Sequence, residues 1–177
     1  MVITNKENQG FGELRAQMYE EAITKYPKAR EDDIFIMYKY LSPKPGENIL
    51  GIGEGNGYFC NPIIEAIGKE GKYIVTDPSR SQLENLSKRV MSNNLEIQVA
   101  GAQDIEILPE SIDKVWSFGA FHHVSDQTQA IKRIYSVLKT GGKAVICDVF
   151  QGGSLEKHFD EVIARYSCEG HEVKFLS

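Results

Sequence analysis

The chain has 177 residues, 41% of them hydrophobic and 25% charged, which is the composition of an ordinary globular domain with a buried core. Its 20 basic and 25 acidic side chains give a net charge of −5, and this balance disfavours nucleic acid as a partner, because phosphate backbones bind clustered lysines and arginines. No apolar stretch reaches membrane-spanning length, and Cys60, Cys147 and Cys168 are too widely spaced for a disulfide framework or a metal site. We therefore expect a cytoplasmic, soluble protein that binds no nucleic acid, membrane or metal.

Two amphipathic segments open the chain. Apolar residues recur at three- and four-residue spacings over residues 11–26 and again over 34–41, and a proline follows each segment. We predict two helices that form an N-terminal helical cap, residues 1–46. Their apolar faces suit packing against the rest of the domain. The alternative is that one of the tyrosines in this region closes over a ligand; the candidates are Tyr19, Tyr26 and Tyr38.

A glycine-rich turn follows the first predicted strand. The apolar run 49–52 breaks into Gly53-Glu54-Gly55-Asn56-Gly57, and a helix is predicted to start near Asn56. Glycines at such a turn allow positive φ and let backbone N–H groups approach a ligand, so a nucleotide-like ligand is expected there. The dinucleotide fingerprint G-x-G-x-x-G does not fit, because its last position falls on Asn56 or Tyr58. A turn without any ligand is the alternative.

Strand and helix patterns alternate through the rest of the chain. Strands are predicted at 72–76, 95–99, 113–117 and 143–150, and helices at 79–93 and 127–138, the first opened by a capping box and the second capped by Gly141 and Gly142. This alternation predicts an α/β fold, a Rossmann-like doubly wound sheet with five parallel strands over residues 47–150. The segments 53–57 and 101–104 and residue Asp77 would then meet outside the carboxyl ends of the strands.

Four motifs in this region resemble those of class I S-adenosylmethionine-dependent methyltransferases, of the type that acts on small molecules such as quinones and sterols. They are the glycine turn, Val75-Thr76-Asp77-Pro78-Ser79, Ala102-Gln103-Asp104-Ile105, and a pair formed by residues 117–124 and 135–142. The last pair, SFGAFHHV and YSVLKTGG, is the most specific signal. The resemblance implies S-adenosylmethionine as cofactor, S-adenosylhomocysteine as its product and a small-molecule substrate.

The resemblance also assigns roles to individual residues. Asp77 would accept hydrogen bonds from both ribose hydroxyls, as a carboxylate can, although it could instead be a turn residue. Asp104 would accept from the adenine amino group, unless it and Gln103 are loop surface. The predicted cofactor-binding set is Gly53, Glu54, Gly55, Gly57, Asp77, Pro78, Ala102, Gln103, Asp104 and Ser117.

The sequence departs from the family pattern in three places. The acidic residue that usually stands two positions before the first glycine is Gly51 here, and Glu54 is a candidate to supply its charge. The acidic residue before the adenine-segment alanine is Gly101. After the fifth strand the family's antiparallel strand pair is missing: residues 151–177 offer a helical stretch and a short strand-like piece. We expect a truncated C-terminal part and an exposed sheet edge through which a homodimer could form.

The implied reaction is an in-line displacement at the sulfonium methyl, in which the protein mainly orients the acceptor. His123 is the first candidate for a catalytic base because the ordinary pKa of histidine lies near neutrality, and His122 and Asp148 follow. One histidine could instead pack under its loop while the other is exposed. The competing hypotheses are a non-catalytic S-adenosylmethionine- or S-adenosylhomocysteine-binding protein, an inactive methyltransferase fragment and, third, a nicotinamide oxidoreductase.

Overall fold

The structure, a computed structural model, describes residues 13–28, 30–158 and 175–176. Its core is a parallel sheet of five strands in the order β3-β2-β1-β4-β5. The predicted fold class is therefore confirmed. The strands are β1 (Asn48–Ile52), β2 (Lys72–Asp77), β3 (Leu95–Val99), β4 (Ile112–Phe118) and β5 (Leu138–Cys147), and the helices are α1 (Glu13–Lys25), α2 (Glu31–Tyr40), α3 (Cys60–Ile67), α4 (Arg80–Arg89), α5 (Gln127–Val137) and α6 (Ser154–His158).

Apolar side chains pack on both faces of the sheet, because successive residues of a strand point to opposite faces. On one face, Ile49 of β1 and Trp116 of β4 pack with buried residues of α2, α3 and α4. On the other face, Leu50 and Val115 pack with buried residues of α5. The strand order reverses at β1, which pairs with β2 on one side and β4 on the other, and ligands of such sheets bind at this reversal.

The helix after the glycine turn begins later than the sequence predicts. It starts at Cys60 rather than near Asn56, because the turn residues Gly53, Gly55 and Gly57 have φ of +68°, +55° and +79°. A right-handed helix cannot include such angles.

The prediction that Gly141 and Gly142 cap α5 is wrong. The helix ends at Val137, and Leu138 is already extended and begins β5. The two glycines lie inside β5. Ile112 of β4 pairs with Leu138 and Lys114 pairs with Lys143, so the register shifts across the glycines, and Gly141 has φ +82°. A glycine pair that interrupts a strand and one that ends a helix look the same in sequence, because both need a left-handed residue.

The C-terminal predictions lie largely outside the described residues. Of the helix predicted over 155–166, the structure describes α6, and of the strand-like piece over 171–176 it describes Phe175 and Leu176. Leu176 forms a parallel bridge with Phe150, just after β5. None of the helices described here is long and apolar enough to cross a membrane.

Helix α1 is attached to the rest of the domain through Glu20. Its carboxylate pairs with Arg89 at the end of α4 and accepts a hydrogen bond from Asn56 Nδ2 in the glycine turn at 3.2 Å. This attachment holds α1 beside the carboxyl ends of the strands.

Candidate active site

A cavity of about 1500 Å³ opens at the carboxyl ends of the strands. A pocket for one small ligand usually measures roughly 300–1,000 Å³, so this cavity has room for two molecules. Its floor is formed by the loops that follow β1, β2, β3 and β4. Helix α1 contributes Tyr19, Ala22 and Ile23 to its wall, and Tyr26, the residue after α1, continues it. The three segments that the sequence predicts to converge, 53–57, Asp77 and 101–104, each contribute residues to this cavity.

The glycine turn forms the centre of the floor, and its glycines serve different purposes. Gly53 and Gly55 line the cavity, and a Cβ on Gly53 would lie 2.3 Å from the Cβ of Ala120 in the loop after β4. Gly57 does not line the cavity: a Cβ there would lie 2.6 Å from Leu86 Cγ of α4. Gly57 therefore allows α4 to pack against the turn, and the structure places it away from the predicted cofactor contact.

Asp77, the last residue of β2, joins the turn to the start of α4. Its Oδ2 accepts a hydrogen bond from the Gly55 N–H at 3.0 Å and its Oδ1 from the Ser79 N–H at 2.8 Å. The side chain is buried in the cavity wall, and this burial raises its pKa to about 6 despite the two backbone donors. A carboxylate has about four acceptor positions, so two remain for hydroxyl groups of a ligand.

The segment after β3 forms one end of the cavity. Ala102 is buried in the wall, Asp104 is exposed, and Gln103 Nε2 donates weakly to Ser125 Oγ at 3.4 Å. Pro78 and Gln82 continue the wall beside Asp77. Within the described parts of the chain, the buried Gln82 Oε1 has no hydrogen-bond partner. Buried acceptors are usually satisfied, so this oxygen favours a ligand that donates to it.

Glu54 occupies the space that a side chain at position 51 would need. A Cβ on Gly51 would lie 2.6 Å from Glu54 Cγ and 2.4 Å from the Tyr73 hydroxyl oxygen. The Glu54 carboxylate accepts a hydrogen bond from that hydroxyl at 2.6 Å and one from Cys60 Sγ at 3.7 Å. Burial raises the pKa of Glu54 to about 7, although these hydrogen bonds act to lower it. Glu54, the candidate to supply the charge that the family pattern has at position 51, is thus a buried carboxyl at the edge of the cavity.

The two histidines of the loop after β4 have different surroundings. His123 lines the cavity, whereas His122 is 2% exposed and lies behind it. The Nδ1 atom of His122 is 2.5 Å from Asp148 Oδ1, and its backbone N–H donates to Asp148 Oδ2 at 3.0 Å. The imidazole rings of His122 and His123 are in contact, with centres 4.1 Å apart and planes tilted by 42°. His122 and Asp148 thus form a buried pair that supports His123.

Ser117 also lies outside the cavity wall. It is buried in β4, and the residue after it, Phe118, lines the cavity instead. Successive side chains of a strand point to opposite faces. Of the neighbours Ser117 and Phe118, only one side chain can therefore point into the cavity.

Two charged residues of the wall, Arg30 and Asp33, were not among the predicted site residues. Arg30 Nε donates to Asp33 Oδ2 at 2.7 Å. The Arg30 guanidinium lies 4.8 Å from the centre of the Tyr58 ring and 5.5 Å from those of Phe59 and Phe118. No motif marks these residues, because they reach the site only through the packing of α2 against the sheet.

A parallel sheet that carries a glycine turn after β1 and a buried carboxylate after β2 defines a Rossmann-like nucleotide-cofactor domain. The family model of the methyltransferase domain matches residues 49–142, just over half of the chain. The chain therefore belongs to the class I S-adenosylmethionine-dependent methyltransferases, as its motifs predicted.

Known methyltransferases resemble the chain in sequence and in fold. Methyltransferase GfsG of Streptomyces halstedii is 30% identical over 125 residues, which cover 68% of this chain and 44% of that protein. An S-adenosylmethionine-dependent methyltransferase of Thermotoga maritima superposes with a TM-score of 0.72 at 21% identity, over 93% of this chain and 72% of that one. Phosphoethanolamine N-methyltransferase 2 of Haemonchus contortus, solved with S-adenosylhomocysteine, superposes with a TM-score of 0.75 at 20% identity. The superposition covers 99% of this chain and 42% of that one. The chain spans 29–44% of the length of GfsG and three other curated relatives.

Proposed function

We propose that this chain transfers a methyl group from S-adenosylmethionine to a small-molecule acceptor. The observation that carries the proposal is the position of Asp77: its carboxylate holds the glycine turn through Gly55 and still has acceptor positions for a ribose diol. The unsatisfied Gln82 Oε1 in the same wall and the positive-φ glycines of the turn also fit an adenosyl ligand. The volume of the cavity supports the binding of an acceptor beside it.

The loops along the sheet suggest how the cofactor lies. The segment 102–104 follows β3, Asp77 follows β2 and the glycine turn follows β1. We therefore place the adenine at 102–104, the ribose at Asp77 and the methionine part towards β1 and β4. The acceptor would occupy the part of the cavity lined by α1 and by Phe118, His123 and Val124.

The chemistry required of the protein is modest. When bound, S-adenosylmethionine supplies an electrophilic methyl group, which the acceptor attacks in line while the C–S electron pair stays on sulfur. The side chains of α1 and Phe118 exclude water and orient the acceptor, and such orientation contributes up to about 7–11 kcal/mol to catalysis. His123 takes the acceptor's proton where one must leave, and the buried His122–Asp148 pair fixes the turn that carries it.

The acceptor wall is largely apolar and aromatic. Five residues around the proposed acceptor position offer carbon surface: Ala22, Ile23, Tyr26, Phe118 and Val124. Such a wall favours an acceptor with an apolar or aromatic body. The homodimer predicted from the sheet edge stays a prediction: β5 is the last strand on its side of the described sheet.

Replacing Asp77 with asparagine tests the proposal. Asp77→Asn keeps the shape but exchanges one acceptor oxygen for a donor, so we expect the dissociation constant for S-adenosylhomocysteine to rise about 10- to 100-fold, the equivalent of a charge-assisted hydrogen bond. Isothermal titration calorimetry measures this change, and Glu84→Gln on the exposed side of α4 is the matched control. Equal affinities of Asp77→Asn and the unaltered protein would contradict the proposed site.

The catalytic part of the proposal has its own measurement. With a panel of apolar and aromatic acceptors, His123→Ala should lower kcat for methyl transfer while the affinity for S-adenosylhomocysteine stays within about twofold, because His123 is placed at the acceptor. Tight cofactor binding by the unaltered protein without turnover of any acceptor would favour the non-catalytic alternative.

A further inference from the structure

Arg30 is a cation in the cavity wall, and its two terminal nitrogens, Nη1 and Nη2, differ from Nε in their contacts. Its Nε is bonded to Asp33, but among the residues that the structure describes, Nη1 and Nη2 have no hydrogen-bond partner. The side chain is 33% exposed, and it lines the cavity. Four N–H donors are therefore available to a ligand.

The surroundings of Arg30 fix the plane of its guanidinium group. The rings of Tyr58, Phe59 and Phe118 lie within 4.8–5.5 Å of it, and Asp33 holds one edge. An arginine that is already oriented loses little side-chain entropy when it binds a second anion, and its planar fork matches a carboxylate. Arg30 is thus prepared to bind a planar anionic group.

The order of the strands indicates which anionic group this is. In the orientation proposed above, the cofactor runs from β3 and β2 towards β1 and β4. Two of the rings around Arg30 belong to residues just after the glycine turn, and the third belongs to the last residue of β4. The methionine part of the cofactor, a zwitterion, would therefore lie at this end. Charges of both signs stand there: Arg30 is positive, Asp33 is negative, and the Glu54 carboxyl is close enough to Arg30 for their charges to interact.

We infer, on the basis of the proposed function, that Arg30 binds the carboxylate of the cofactor's methionine part through its two terminal nitrogens. Arg30 is then a residue that distinguishes S-adenosylmethionine from adenosyl compounds without a carboxylate. Asp33 acts through Arg30, because it occupies Nε and leaves the opposite edge of the fork to the ligand.

Decarboxylated S-adenosylmethionine tests this inference, because it lacks the carboxylate and keeps the sulfonium and the amine. Calorimetry on the unaltered protein should show S-adenosylmethionine binding about 10- to 100-fold more tightly than the decarboxylated compound. In Arg30→Gln this ratio should fall to about threefold or less, because affinity is lost for S-adenosylmethionine alone. Arg30→Lys, which keeps the charge without the fork, should give an intermediate ratio.

Controls separate this role from a packing role. Lys132→Gln, an exposed charge removal on α5, should leave the ratio unchanged, and thermal unfolding reports whether the Arg30 variants are folded. The inference would be overturned if Arg30→Gln lowered the affinity for both compounds equally, or if it changed the affinity for neither. If the unaltered protein binds S-adenosylmethionine and only the ratio fails to change, Arg30 is misassigned and the proposed function stands; if it binds neither compound, the proposed function itself fails.

Discussion

Glu54 is a carboxyl group that the fold buries beside the cavity, between the Tyr73 hydroxyl and Cys60. Its ordinary pKa of 4.5 rises to about 7, because burial disfavours the charged form. The folded state therefore holds the proton more tightly than the unfolded state does. The stability that comes from this proton is complete below about pH 4.5 and is lost as the pH rises through about 7.

Glu54→Gln should remove this pH dependence, because the amide stays neutral at every pH. Between pH 5 and pH 8, we expect the free energy of unfolding of the variant to gain roughly 2–3 kcal/mol relative to the unaltered protein. Both proteins carry Asp77, whose charge acts on Glu54, so the difference reports the titration of Glu54 together with its interaction with Asp77. Urea unfolding at several pH values measures it, with Glu84→Gln as an exposed control. A difference that does not vary with pH would show that Glu54 has an ordinary pKa.

Single residues of the site differ in how well the sequence predicts their position. The position of Asp77 followed from the end of a strand, which is local information. Gly57 fits the same glycine pattern as Gly53, yet it contacts Leu86 rather than the cavity, because a glycine required for packing and one required for a ligand look alike. Arg30 could not be found, since its position depends on how α2 packs against a distant strand.

At the scale of elements, β1 depends on the lack of a side chain at Gly51. A Cβ there would overlap the Tyr73 hydroxyl and the Glu54 side chain, and both are held in the buried layer between β1, β2 and α3. The glycine at position 51 and the glutamate at position 54 therefore depend on each other, because the side chain of Glu54 fills the volume that an acidic residue at position 51 would take.

Gly51→Ala should destabilise the protein by about 1–3 kcal/mol, which is the usual cost of inserting a methyl group into a packed interior. Gly101→Ala is the comparison, because its Cβ would meet only the ends of two flexible side chains, Asp104 at 3.3 Å and Gln103 at 3.6 Å. Chemical denaturation of the two variants side by side measures the difference. Equal stabilities would mean that the layer beneath β1 rearranges freely.

The elements were predictable where one pattern allowed one structure. The apolar runs of β1 and β2 and the Ser79 cap of α4, whose Oγ accepts from the Gln82 N–H, are set by neighbouring residues. The start of β5 was not predictable, because Leu138 continues the apolar face of α5 in sequence but pairs with Ile112 in the structure. A long-range pairing decides that boundary.

At the scale of the whole molecule, ligand binding should appear as stability. A ligand at 100 times its dissociation constant adds about 2.7 kcal/mol to the free energy of unfolding, and in a chain of this size that raises Tm by roughly 5–10 °C. We expect S-adenosylhomocysteine to produce such a shift and NAD to produce none, because the glycine spacing does not fit a dinucleotide. Differential scanning fluorimetry compares the two, and an equal shift with NAD would restore the oxidoreductase hypothesis.

The hydrogen bond from Gly55 to Asp77 has a consequence for the thermodynamics of this binding. Ordering a backbone residue costs about 1–2 kcal/mol, and a loose glycine loop would incur that cost for each residue when a ligand arrives. Here Asp77 restrains the turn while the protein is free of ligand. Preorganisation of this kind spares the complex an entropic penalty, so that contacts with an incoming adenosyl group translate more fully into affinity.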